Sequence, residues 1–173
     1  MNRIAQFEKV SYEQFLEDWK KNFPNQNEEE IRTIYDQIKL PKRATEGSAG
    51  YDFFAPCAME IAPGKQVLIP TGIRVSMDPQ YVLMLFPRSS LGFKYRLQMN
   101  NTVGIIDSDY YFAKNMGHIF CKLTNDTRED KTVFLEAGEG MVQGIFVPFG
   151  ITMDDDVQTK RIGGLGSTTK KED

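Results

Sequence analysis

Pro87-Arg88-Ser89-Ser90-Leu91-Gly92, followed after Phe93 to Val103 by Gly104-Ile105-Ile106-Asp107-Ser108-Asp109-Tyr110, is the stretch that decides how this chain is read. Its first half sets an arginine and two hydroxyls on a turn. These are donors for an anion, and the glycine after them permits close backbone approach. Its second half puts a carboxylate, Asp107, at the end of an apolar strand. A hairpin from Asn101 to Asp107 is expected to bring that amide and its main-chain neighbours near the carboxylate. Each half alone has an ordinary reading. Arg-Ser-Ser is common in surface turns, and Asp-Ser-Asp-Tyr is common in solvated turns closed by an Asx bond. Together they place an anion cradle beside a carboxylate and a tyrosine, a setting suited to hydrolysis of a phosphate ester.

Outward from this stretch the pattern is β. Val67 and Ile69, then Ile73, Val75 and Met77, alternate with polar neighbours, as do Ile119, Cys121 and Leu123. Pro63-Gly64, Asp78-Pro79 and Ala137-Gly138 punctuate the runs. Many short strands without intervening helices predict a closed or double-sheet β fold. The N-terminus differs. Residues 11–23 predict a helix: Ser11 can cap it with Gln14 three residues on, Tyr12, Phe15, Leu16, Trp19 and Phe23 share one face, and Pro24 ends it. That aromatic face is expected to pack on its own domain or subunit. Ile31, Ile34, Tyr35 and Ile38 also have helical spacing.

At 173 residues the chain is long enough for one domain with a core and a small appendage. A net charge of −3 and the absence of a Lys/Arg-rich run exclude a broad nucleic-acid surface. An acidic protein that binds a polyanion needs local positive charge, from a few Arg and Lys or from a metal ion. Cys57 and Cys121 are too few for a disulfide framework and are read as reduced core thiols. No apolar run reaches the ~18 residues of a membrane span, and the N-terminus is polar and charged rather than a signal peptide. The expectation is a soluble cytoplasmic protein that binds neither membrane nor nucleic acid.

Five motifs make the sequence resemble the trimeric dUTPases, which cleave dUTP to dUMP and pyrophosphate. They are Gly47-Ser48-Ala49-Gly50-Tyr51-Asp52, Pro87 to Leu91, Gly104 to Tyr110, Gly138-Glu139-Gly140-Met141-Val142-Gln143, and Arg161-Ile162-Gly163-Gly164-Leu165-Gly166-Ser167-Thr168. The resemblance covers about residues 40–169. It implies a mainly β fold, a distorted jelly roll, with the N-terminal helix appended. The expected division is 1–27 helical extension, 28–157 β domain and 158–173 Gly-rich tail closing over the active site. By the same resemblance a first strand is expected near 30–35, ahead of Leu40-Pro41.

Hydrolysis of a nucleoside triphosphate needs an activated water, charge neutralisation and in-line geometry. There is no Walker phosphate loop. His118, the only histidine, has the ordinary reading of a packed or partly exposed strand residue, so base work falls to carboxylates. The resemblance assigns the base to Asp107, ahead of Asp109, activating a water that attacks the α-phosphorus. It puts Ser89 on the bridging oxygen whose bond breaks, and Arg88 and Ser90 on the phosphates. Asn101 and Gly104 belong to its uracil pocket, read largely by main-chain groups. Tyr110 stacks on the deoxyribose and leaves no room for a 2′-hydroxyl. Gln143, Arg161, Leu165, Ser167 and Thr168 complete its substrate contacts. The implied cofactor is Mg²⁺, near Asp52 and through water, without a direct protein ligand. The implied assembly is a homotrimer with shared sites.

Four departures stand against the family pattern. Gly140 replaces the usual Arg of the fourth motif. Leu165 replaces the Phe that covers the base. Arg161 lies two residues before the first Gly of the fifth motif rather than three, so Lys160 rivals it. Six residues, Tyr111 to Met116, separate Tyr110 from Gly117 where the family has one, and read as an extended turn. Two alternatives accompany the dUTPase reading. One is a dUTPase-like binding protein that engages a partner through its helix or insertion. The other is a dCTP deaminase of the same fold, whose catalytic Glu motif is not found after residue 100. The Leu165 departure yields a test. Leu165→Phe should leave turnover intact and tighten nucleotide binding, measured by calorimetry, by the ~0.5–1.5 kcal/mol of an aromatic stack.

Overall fold

The computed structural model describes residues 2–159, 161 and 163. Strand β1 (Ala5–Lys9) leads into helices α1 (Tyr12–Asn22) and α2 (Glu28–Gln37). Then come β2 (Lys42–Arg43), β3 (Tyr51–Phe54), β4 (Met59–Ile61), β5 (Gln66–Pro70), β6 (Ile73–Met77) and β7 (Tyr81–Pro87). After them follow a short helix α3 (Ser89–Tyr95), β8 (Leu97–Met99), β9 (Gly104–Ile106) and a 3-10 helix at Ser108–Phe112. The last strands are β10 (Phe120–Asn125), β11 (Val133–Leu135) and β12 (Gly140–Pro148). The fold is mainly β and all strand pairs are antiparallel. The largest sheet has the order β2-β3-β12-β7-β9, and a second has the order β5-β10-β8. The pairs β1-β6 and β11-β4 flank them, consistent with a distorted jelly roll.

The alternation read from the sequence is the core alternation. Ile69, Ile73, Val75, Cys121 and Leu123 are buried, and Leu83, Leu85 and Val142 join them from the large sheet. Helix α1 forms where it was expected, with Ser11 accepting from Gln14 N at 3.2 Å. Its aromatic face packs on its own domain. Phe15 and Trp19 are fully buried, each worth roughly 1.5–3 kcal/mol of burial. The Phe15 ring lies 5.0 Å from Trp19 and 5.5 Å from Tyr35 of α2.

Residues 28–37 are helix, which overturns the strand expected near 30–35. The physical reason is local. Asn27 accepts from Glu30 N and Glu30 accepts from Asn27 N, both at 2.9 Å, a closed capping box. Ile31 and Ile34 then fall on one buried face. Both helices press on Gly72, whose φ of +74° and crowded surroundings admit no side chain. A Cβ there would lie 2.3 Å from Ile38 Cδ1 and 3.3 Å from Phe15 Cδ2.

A second correction concerns Asn101–Asp107. It is not a two-stranded hairpin, because β8 pairs with β10 and β9 pairs with β7. The turn between them crosses from one sheet to the other. His118 lies just before β10, completely buried rather than partly exposed. Its Nε2 accepts from Gly72 N at 2.8 Å, and its Nδ1 lies 2.7 Å from Asp18 Oδ2. An imidazole that accepts at Nε2 is neutral, so Nδ1–H donates to Asp18. Burial pushes the His118 pKa below its ordinary value. Burial opposes the charge on Asp18 too, but bonds from His118 and Gln14 outweigh it and hold the carboxyl below its usual range.

A pH dependence follows. The unfolded chain takes up a proton on His118 that the folded chain refuses. Stability should be level above about pH 7 and fall below it, by at most ~1.4 kcal/mol per pH unit from this site. The fall should begin as the pH passes 6.5, the unfolded value, with a further loss from Asp18 only below 3.8. Urea unfolding between about pH 8 and 5 measures it, and His118→Gln should flatten the slope in that window.

Candidate active site

The centre of the large sheet builds one half of the site. β12 is paired on both edges, with Gln143 opposite Asp52 of β3 and opposite Phe86 of β7. Directly opposed residues of an antiparallel pair share a face, so Asp52 and Gln143 emerge together. β7 ends at Pro87, and Arg88 follows as the N-cap of α3, with Ser89 and Ser90 exposed in its first turn. These residues line a cavity of about 480 Å³ with Ser48, Gly50 and Ile145. Gly50 makes room for the Gln143 amide: a Cβ at Gly50 would lie 2.7 Å from Gln143 Oε1.

Arg88 is held across the mouth of this cavity. Its Nε lies 3.3 Å from Asp52 Oδ1, and its Nη1 donates to Gly140 O at 3.4 Å. The glycine that departs from the family motif is what admits this pose. A Cβ at residue 140 would lie 2.5 Å from Arg88 Nη1 and 3.1 Å from its Cδ. The arginine absent at 140 and the arginine present at 88 therefore compete for one volume. Sequence alone carried no signal of that coupling.

The second half is the 3-10 helix and the turn before β9. Asp107 caps the 3-10 helix in an extended conformation, half-exposed, and Tyr110 is buried within it. Arg161 reaches both carboxylates: Nη2 to Asp107 Oδ2 at 2.5 Å and Nε to Asp109 Oδ1 at 2.8 Å. Its guanidinium lies 5.8 Å from the centre of the Tyr110 ring. Desolvation pushes the Tyr110 phenol pKa up. The Asn101–Val103 turn is tight, with Thr102 at φ +64° and Val103 N donating to Asn101 O at 2.6 Å. Gly104 permits β9 to close on the core, since a Cβ there would lie 3.1 Å from Leu85 Cβ.

The structure thus brings together Asp52, Arg88, Ser89, Ser90 and Gln143 in one place, and Asp107, Tyr110 and Arg161 in another. The cavity lining includes none of Asn101 to Tyr110. Leu165, Ser167, Thr168 and the rival Lys160 lie outside the described residues. Asp109 enters as an ion-pair partner of Arg161, a contact that sequence reasoning did not anticipate. Among the described residues no three His, Cys, Asp or Glu side chains converge as a metal cage. No helix among them is long and apolar enough to cross a membrane.

This arrangement is that of a nucleotide-hydrolysing β fold, and comparison with known proteins is specific. The dUTPase family profile matches residues 36–168. A deoxyuridine 5'-triphosphate nucleotidohydrolase of Lactococcus lactis is 46% identical over 144 residues, spanning 80% of this chain and 95% of that protein. The enzyme of the same name from Klebsiella pneumoniae is 36% identical over 146 residues, spanning 80% and 91%. The crystal structure of dUTPase from Streptococcus mutans superposes with a TM-score of 0.62 at 39% identity, covering 84% of this chain and 97% of that one. A dUTPase from phage phi11 of S. aureus, known to coordinate a structural Mg(II) ion, shares the fold with a TM-score of 0.62 at 19% identity, covering 91% and 98%. The chain belongs to the dUTPase family.

The Arg88 pose is testable. Gly140→Ala should dislodge the guanidinium from Asp52 and weaken binding of pyrophosphate, read by calorimetry. The expected loss is about two- to tenfold, the cost of re-ordering one long side chain on binding. Unchanged affinity would show that the pose does not matter.

Proposed function

We propose that the protein hydrolyses dUTP to dUMP and pyrophosphate, in sites shared between the chains of a homotrimer. The observation that carries this reading is the cavity lined by Arg88, Ser89, Ser90, Asp52 and Gln143. It presents an arginine fork, two hydroxyls and an amide to an anion, and it lacks a base. The base stands elsewhere on the chain, with Asp107, so a second chain would complete each site. Exposed Phe93, Ile105 and Phe112 would be covered by such an assembly.

In this reading Asp107 orients a water and takes its proton as the oxygen attacks the α-phosphorus. The bond to the bridging oxygen breaks, and pyrophosphate leaves toward Arg88, Ser89 and Ser90. Arg161, paired with Asp107 and Asp109 here, exchanges that pair for a phosphate when the triphosphate enters, which frees the carboxylate. The Asn101–Gly104 turn presents main-chain groups to uracil. Cytosine would leave a fixed N–H unpaired, and thymine would add a methyl. The Tyr110 ring lies against C2′ of the sugar. The donor set fits Mg²⁺ carried by the triphosphate, because Asp52 is already engaged with Arg88 and would approach the ion through water. Bound there, the ion neutralises phosphate charge.

Incubation with dUTP, dCTP and dTTP tests the reaction. Pyrophosphate from dUTP alone is expected; ammonia from dCTP would make it a deaminase, and neither product would make it a binding protein. Asp107→Asn should lower turnover by ~10²-fold or more while nucleotide binding persists. Mixing Asp107→Asn with Arg88→Ala chains under subunit exchange should restore activity to on the order of a quarter of the sites. No recovery would refute the shared site.

A further inference from the structure

We propose that Asn115, in the insertion between Tyr110 and Gly117, is a positioning residue that holds the Tyr110 ring and thereby sharpens the choice of deoxyribose over ribose. This rests on the reading of Tyr110 as the group that faces the sugar.

The geometry is a closed triangle of hydrogen bonds behind the ring. Tyr110 Oη donates to His118 O at 2.8 Å. Asn115 Nδ2 donates to Tyr110 Oη at 2.8 Å and to the same carbonyl at 3.3 Å. The phenol therefore both donates and accepts, and rotation of its hydroxyl or sliding of the ring breaks two bonds at once. The shared corner, His118 O, is itself immobile. The His118 side chain is clamped between Asp18 of α1 and Gly72 N, and its own N–H donates to Asn115 O at 3.1 Å.

The insertion is built to return Asn115 to this place. Successive turns run from Ala113 N to Tyr110 O, Met116 N to Ala113 O and His118 N to Asn115 O. Gly117 completes them at φ +70°, so close that a Cβ would lie 2.8 Å from Tyr110 O. The near end of the insertion is pinned from the other side. Arg74 of β6 donates to Tyr111 O at 3.1 Å and lies 3.5 Å over the Tyr111 ring, and Tyr111 Oη donates to Glu8 of β1 at 2.9 Å. The segment that departs from the family pattern thus ends in an amide aimed at the one ring the sugar would meet. A steric gate excludes a 2′-hydroxyl only if it cannot yield, and a ring held at its hydroxyl yields less than one held by packing alone.

The test is the ratio of kcat/KM for dUTP to that for UTP. Asn115→Ala should lower it about three- to tenfold, as expected from losing a hydrogen bond of ordinary net strength, mainly through better use of UTP. Asn115→Asp keeps the shape but removes both donated bonds, and should act in the same direction if the alanine variant folds poorly. In a Tyr110→Phe background, Asn115→Ala should leave the ratio where that background sets it. A merely structural role would lower thermal stability and both activities together, with the ratio unmoved, and that result would overturn the proposal. The underlying reading fails differently: Tyr110→Ala would leave the ratio unchanged, or the unaltered enzyme would not cleave dUTP.

Discussion

Strand β12 is hydrogen-bonded along both edges, and the site's side chains take their places from its register. Val142 and Gly144 face the core, where a Cβ on Gly144 would lie 2.8 Å from Leu83 Cδ1. A one-residue slip would turn that apolar set to the opposite face, a change the buried neighbours Phe53, Leu83 and Leu85 forbid. Burial therefore sets the ladder, and the ladder sets Gln143 beside Asp52. The break in register between Gly140 and Val142 then opens the room that Arg88 occupies. Core packing and anion cradle are two faces of one strand.

A second constraint joins the N-terminal helices to the sheets. Breaking one member of a buried hydrogen-bonded pair is costly because the other is left without a partner. Asp18 and His118 form such a pair, with Gly72 N as third member. Helix α1 lies before the residues that match the family profile, yet its carboxylate fixes the residue whose carbonyl receives Tyr110. The helix is thus part of the same mechanical unit as the 3-10 helix that carries Asp107.

Legibility from the sequence followed the range of the forces involved. Helix α1 was readable because its cap and aromatic stripe are local. Alternation in β5, β6 and β10 was readable because it repeats every second residue. Helix α2 was equally readable, since Asn27 and Glu30 spell a capping box, but the family's expected strand outweighed it. The Asn101–Asp107 segment was legible as a turn and not as a ladder, because strand partners are chosen by distant residues. The pairing of Arg161 with Asp107 and Asp109 spans more than fifty positions and left no local mark.

By itself the sequence determined the β character, the helical start and the five motifs with their chemistry: a fork and hydroxyls for an anion, a carboxylate for a base. Those depend on residue type and short spacing. The tertiary structure decided which of them meet. It set Gly140 under Arg88, tied Asp18 to His118 across 100 positions, and brought Asn115 back onto Tyr110. The physical reason is that such contacts are selected by burial and register among strands far apart in the chain, and neither is written in any short stretch of residues.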